Sequence, residues 1–537
     1  MFDNTLQLTG KESMQVSSST IVEQCLQAMS DCAPVLKETL SRYGNIPLGD
    51  YLDTLKPSAT PPLQSRQDFI DIYRQEVASL LGESIGEKAA EEIECWPMLL
   101  TANHLGVDFF SQSVQSSLLF FLLKRRITSS PVIVPVIACG SVPLNNVTYP
   151  LGVLLYKLNN DSYDKVPKKL PLFANKMKRT LVSAAPPFDR VMVERAQNRL
   201  EKMVVQEEID PLQAAVLQQI FEQDYDAPGV MDLSDYSRQS LVLNNRIWQR
   251  LFSKEKAQSH IVTLDMEHIV SRLLEGDLNN KQSLVWSILM DHDLRSRILE
   301  QLDNKRACWN ISELRQRLNP GNTDAPRNQV PASSGTVFFW GVDARSQRIP
   351  LLLVDNGGNR WALKGADDKG KVTEIPLSVD SILSALRSRR LLPSIFTSYT
   401  VLAFARGLTC LGGYYQAEYL PMMQKELVTA LRETGSYHEE ARLVEGTETN
   451  SYLSGMQAVM VGDTDALVPA GPVEIIAGGG LSDQDLNQIL SLSVLDAHLA
   501  SLFETVDDIA PLVDEKRQLK QALAKYCWLL RNKVVVK

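Results

Sequence analysis

From Asn319 to Gly335 the chain carries three prolines, at 320, 326 and 331, among small polar residues, and it has no apolar periodicity. Proline lacks the N–H and the freedom in φ that a helix or an inner strand needs, so regular structure is expected to stop there. The segment 319–335 therefore reads as a linker, and the chain is expected to fold as at least two lobes.

The fold class on either side follows from periodicity. Residues 1–95 carry helical spacing from Ile21 to Tyr43 and again from Gln67 to Glu94, with a Pro-bearing loop over Pro47 to Ser65, and read as a helical N-terminal cap. Residues 96–190 differ. Trp96 to Asn103 and Pro131 to Cys139 are short apolar runs bounded by turn residues, as buried strands are, with a helix between them and a third strand over Val153 to Tyr156. Residues 191–318 recur at three and four and read as helical. Beyond the linker, 336–376 is a β meander with a tight turn at Asn356 to Asn359, and 377–537 is a helix-rich C-terminal lobe. In that lobe Val473 to Ile476 reads as a last strand, and Ser482 with Asp485 as a capping box. The fold class is thus α/β, helix-rich and mixed α+β.

Length and composition agree with this. A chain of 537 residues exceeds what one core usually holds, and 44% hydrophobic with 22% charged residues is ordinary globular composition. A net charge of −9 argues against nucleic acid as the partner. The seven cysteines are scattered, with no C-x-x-C pair, and read as reduced thiols of a cytoplasmic protein. Met1 to Thr5 does not open a secretory signal, and no 18-residue apolar run follows, so no membrane span is expected.

Chemistry concentrates in a few places. The segment Thr101-Ala-Asn-His-Leu-Gly-Val-Asp108 leaves a buried strand for a helix, and strand ends of α/β sheets collect catalytic groups. His104 is a candidate general base, and Asp108, four residues on, is expected to hold its other ring nitrogen. The spacing His104-x-x-x-Asp108 resembles the motif of CoA-dependent acyltransferases, which implies a histidine base and a structural aspartate. The resemblance covers these five residues, and Phe109 stands where many members have glycine.

A second polar segment, Cys139 to Gly152, follows the other apolar strand. If the two strands are neighbours, Asn103, Asn145 and Asn146 position a substrate and Cys139 becomes a candidate nucleophile beside His104. Past the linker, Arg406, Gln416 and Tyr419 interrupt apolar helices around Gly412 and Gly413 and are candidate substrate contacts. Arg406 takes either a carboxylate such as Asp343 or a ligand anion. The turn Asp343 to Arg345 after Trp340 is a further candidate. Lys165, Lys168, Lys169, Lys176, Lys178 and Arg179 form a basic run that would suit an acidic carrier protein or a phosphorylated ligand. Gly478 to Gly480 lacks the spacing of a phosphate loop and reads as a turn, and the histidines are too dispersed for a metal set.

These features imply an enzyme, a transferase or lyase, acting on a small carboxylate- or phosphate-bearing molecule by metal-independent general-base chemistry. The alternative is a non-catalytic scaffold, which would show a broad exposed apolar patch and no enclosed pocket.

Overall fold

Five short strands bring the two sides of the linker together. In a computed structural model of the protein, β1 (Met98–Leu100), β2 (Val132–Ala138), β3 (Ser259–Asp265), β4 (Thr409–Gly413) and β5 (Tyr452–Ser454) form one parallel sheet in the order β5-β4-β1-β2-β3. The structure describes residues 18–128, 132–146, 148–157, 163, 166–253, 259–318, 335–358, 360–462, 465–509, 513–529 and 534–536. Residues 1–17, Lys165, most of the expected linker (319–334) and Asn359 lie outside the described residues. Over the described residues the protein is a mixed α/β fold with several sheets and many helices.

The strand order reverses at β1. β2 and β3 are laid down on one side of it, and β4 and β5 on the other, with Met98 opposite Thr409 and Leu100 opposite Val136. In open parallel sheets such a reversal leaves a crevice outside the carboxyl ends of the strands, which is where ligands bind.

Side-chain alternation divides the interior into two cores, one on each face. Met98, Leu100, Val134 and Val136 enter the first, and Leu99, Ile133, Ile137 and Val262 the second. Helix α1 (Ser111–Ile127) supplies Leu118 to Leu123 to the first core, and helix α2 (Met266–Asn279) supplies Ile269, Val270 and Leu273 to the second.

Several expectations are revised. The sheet takes strands from both sides of 319–335, so the two halves of the chain complete one sheet. The helices before residue 95 do not form a separate cap: Val22 to Leu55 packs into the first core and Phe69 to Ile93 into the second. The Pro-bearing loop after Pro47 contains the short helix Leu48–Leu52. The stretch 191–318 contains strand β3, whose His260 and Thr263 break up its apolar run. Gly152–Leu155 is a strand, but it pairs with Lys168–Pro171 away from the central sheet. Val473 to Ile476 is helical: Pro472 presets the first turn, and the Glu474 carboxylate accepts the N–H groups of Gly471 (3.1 Å) and Tyr156 (2.9 Å).

The stretch expected as one meander divides between two three-stranded antiparallel sheets. Phe339–Val342 pairs with Arg348–Pro350 and with Leu391–Pro393, and Trp361–Ala366 lies between Leu352–Asp355 and Val372–Pro376. Ser482 caps its helix together with Asp485 as expected. Among the described residues no helix is long and apolar enough to cross a membrane.

Candidate functional site

A cavity of 560 Å³ lies at the carboxyl ends of β1, β2 and β4, at the reversal in strand order. His104, Cys139, Gln416 and Tyr419 all contribute to its wall, so four of the candidate residues meet there.

The loop after β1 is tied to the end of β2. Leu105 N–H donates to Cys139 O and Cys139 N–H donates to Asn103 O, each at 2.9 Å. Gly106 makes the following turn with φ of 139°, and a Cβ there would stand 2.5 Å from that of Pro150, so glycine is required. His104 is left half-buried in the cavity wall.

The imidazole is held in one tautomer. Its Nδ1 lies 3.3 Å from Asn146 Oδ1 and 3.3 Å from Thr148 Oγ1. The Asn146 amide is oriented by its own bonds: Nδ2 donates to Pro143 O at 2.7 Å, while Oδ1 accepts the Thr148 N–H at 2.9 Å and its hydroxyl at 2.6 Å. An oxygen in that role accepts a hydrogen from the ring, so the proton sits on Nδ1 and the lone pair on Nε2. No described residue hydrogen-bonds Nε2. Burial lowers the pKa of His104 below the ordinary imidazole value, against the opposing effect of the Asn146 bond, so the ring is neutral at pH 7.

Asp108 does not orient His104, as its spacing predicts. Its carboxylate accepts from Ser113 Oγ at 2.5 Å, Phe110 N–H at 3.1 Å and Asn103 Nδ2 at 3.3 Å, and thereby holds the first turn of α1. Burial pushes its pKa up to about 6. Asn103 serves Asp108 rather than a substrate, and Asn145 is exposed and outside the cavity wall. Of the three asparagines, Asn146 is the one that touches His104.

Cys139 is not built as a nucleophile. Its Sγ lies 3.4 Å from Glu267 Oε1 and 3.4 Å from Ser141 Oγ, and burial followed by the Glu267 charge raises the thiol pKa strongly. Glu267, near the start of α2, also accepts the N–H groups of Gly140 (2.7 Å) and Ser141 (3.0 Å), so it fixes the end of β2.

Arg406 lies outside the cavity wall. It is 1% exposed, and its guanidinium is shared between Asp68 (3.0 and 2.5 Å) and Asp277 (3.1 and 3.0 Å), not Asp343. Asp343 instead accepts N–H groups of its own turn, from Arg345 and Gln347. Gln416 faces the cavity with its amide already engaged, accepting from Tyr399 OH at 2.7 Å and donating to Cys410 O at 3.0 Å and Thr101 Oγ1 at 2.8 Å. A Cβ on Gly412 would overlap this amide, which explains the glycine.

Arg348, to which no local sequence pattern points, is a cation in the wall with His104, together with Lys169 and Lys520. It stacks 4.5 Å from the centre of the Trp340 ring, and its Nη1 donates to Ser141 O at 3.2 Å. The signal lies in the meander: Trp340 pairs with Pro350, so Arg348, two residues before Pro350, shares its face. From the basic run, Lys169 reaches the cavity and lies over the Tyr149 ring at 4.5 Å, whereas Lys176 and Lys178 lie outside it. Among the described residues no group of three or more His, Cys, Asp or Glu is arranged to hold a metal ion.

Comparison with protein-family models, with curated proteins and with solved structures gives no match for this chain.

Proposed function

We propose that the protein is an enzyme acting on a small anionic molecule by general-base catalysis, with His104 as the base. The observation that carries this reading is the position of His104 in the wall of a cavity at the strand-order reversal, with Nδ1 against Asn146 Oδ1 and no described residue bonded to Nε2. Nε2 takes a proton from the substrate, and the resulting imidazolium returns it to the leaving group. This cycle suits group transfer, including acyl transfer, or elimination. Arg348 supplies the contact for a carboxylate or phosphate that Arg406 was expected to make. In this reading the enzyme works in the cytoplasm, and the basic run from Lys165 to Arg179 receives an acidic carrier or the substrate's own charge.

Two observations favour this over a scaffold. The cavity exists, and the large apolar side chains most exposed among the described residues, Ile127, Val191, Val205, Leu212 and Val372, are few, with Val191 and Val205 at opposite ends of one helix (Arg190–Val205) and the other three on separate elements. The experiment is to identify the ligand that co-purifies with the protein by mass spectrometry and assay its turnover. His104→Gln is expected to lower kcat by roughly 100-fold or more with little change in KM. Wild-type turnover in that variant would overturn the assignment.

A further inference from the structure

The wall of the cavity says more about the substrate than its charge. Phe110, Trp340, Tyr399, Tyr414, Tyr415 and Tyr419 all line it, so six of its wall residues carry aromatic rings. The Tyr399 hydroxyl is spent on Gln416 at 2.7 Å, which leaves the ring rather than the polar tip to meet a ligand. Acetate or inorganic phosphate would leave most of 560 Å³ unfilled, and ligand sites of about 300–1,000 Å³ ordinarily enclose a ligand of drug-like size.

Against this apolar wall stands a rigid cationic edge. The guanidinium of Arg348 is fixed by the Trp340 ring on its face and by Ser141 O on Nη1, and the carboxylate that acts on it electrostatically, Glu267, is engaged with the N–H groups of Gly140 and Ser141. One planar fork of donors matches one carboxylate. Aromatic side chains meet planar ligands by stacked or edge-on contacts.

We infer that the substrate is an aromatic carboxylic acid, its carboxylate on Arg348 and its ring among the tyrosines. The inference rests on reading the cavity as a ligand site, and it does not depend on His104 being the base.

The test is calorimetric titration of the full-length protein with 2-naphthoate, acetate, inorganic phosphate and the uncharged 2-naphthalenemethanol. Naphthoate is expected to bind at least about tenfold more tightly than acetate or phosphate. Arg348→Gln, checked for folding by circular dichroism, should weaken naphthoate roughly tenfold or more and leave naphthalenemethanol unchanged, with Arg348→Lys in between. Phosphate binding as tightly as naphthoate, or naphthoate binding that ignores Arg348→Gln, would overturn the inference. The His104 assignment fails separately: if His104→Gln binds naphthoate and also turns over the identified substrate normally, the ligand class stands and the base does not.

Discussion

Oδ1 of Asn146 lies 3.3 Å from Nδ1 of His104, and the same oxygen takes two hydrogen bonds from Thr148. The amide thus does for this histidine what a carboxylate does in many general-base pairs, but without a charge. It selects the tautomer and leaves the imidazole free to stay neutral. Asn146→Asp should stabilise the imidazolium and raise the His104 pKa, moving the acidic limb of the pH–rate profile to higher pH. Proton NMR titration of the ring, compared with a His104→Gln spectrum for assignment, reads the shift without a substrate.

The Cys139 thiol, half-buried in the cavity wall beside Glu267, should be chemically quiet. Cys32 and Cys95 are exposed, whereas the pKa of Cys139 is raised strongly by burial and then by the Glu267 charge. Iodoacetamide near pH 7.5 is expected to label Cys32 and Cys95 well before Cys139, as peptide mass spectrometry resolves. Cys139→Ala should retain activity within a few-fold. Loss of turnover in Cys139→Ala with an intact fold would return the thiol to the chemistry.

Arg406 should matter for stability and not for catalysis. Removing it leaves Asp277, 2% exposed, without its cation. Arg406→Met is expected to cost about 3–5 kcal/mol in denaturant unfolding, and the folded fraction should keep the wild-type KM. A raised KM at unchanged stability would place Arg406 in the substrate site after all.

His498 gives the protein a defined acid sensitivity. Its ring is buried between Val494 O (2.7 Å) and Tyr452 OH (3.0 Å), and burial lowers its pKa to about 4. In the unfolded chain an ordinary histidine titrates near 6.5, so over that interval the unfolded state binds more protons. The stability His498 confers is complete above about pH 6.5 and declines as pH falls toward 4, by roughly 3 kcal/mol in all. His498→Gln cannot titrate, so the stability gap between wild type and variant should shrink across that window in equilibrium unfolding. A gap independent of pH would show that His498 does not carry the effect.

How much of this is legible in the sequence depends on distance along the chain. The strands at Met98 and Val132, and the polar segments that follow them, show as apolar runs that end abruptly, so His104 and Cys139 are found together. The partner of His104 is not found, because helical i,i+4 reasoning points to Asp108 while the Gly106 turn breaks the helix geometry on which that reasoning depends. The partners of Arg406 lie 338 and 129 residues away, at Asp68 and Asp277, and no local pattern names them. Arg348 reaches the cavity only through cross-strand pairing with the Trp340 strand, and Val473 to Ile476 is β-branched enough to read as a strand until Pro472 and Glu474 settle it as helix.

The reversal of strand order also bears on how the chain reaches its native state. β1 acquires its second neighbour only when Met98 meets Thr409, so a nascent chain that has emerged only as far as residue 318 presents a hydrophobic strand with one open edge. That edge is a template for pairing with another chain, and the long loop closed by β4 makes its protection slow in comparison with local helix formation. Fragments ending before residue 319 should therefore aggregate, and during synthesis the protein should depend on chaperones until β4 and β5 have been made.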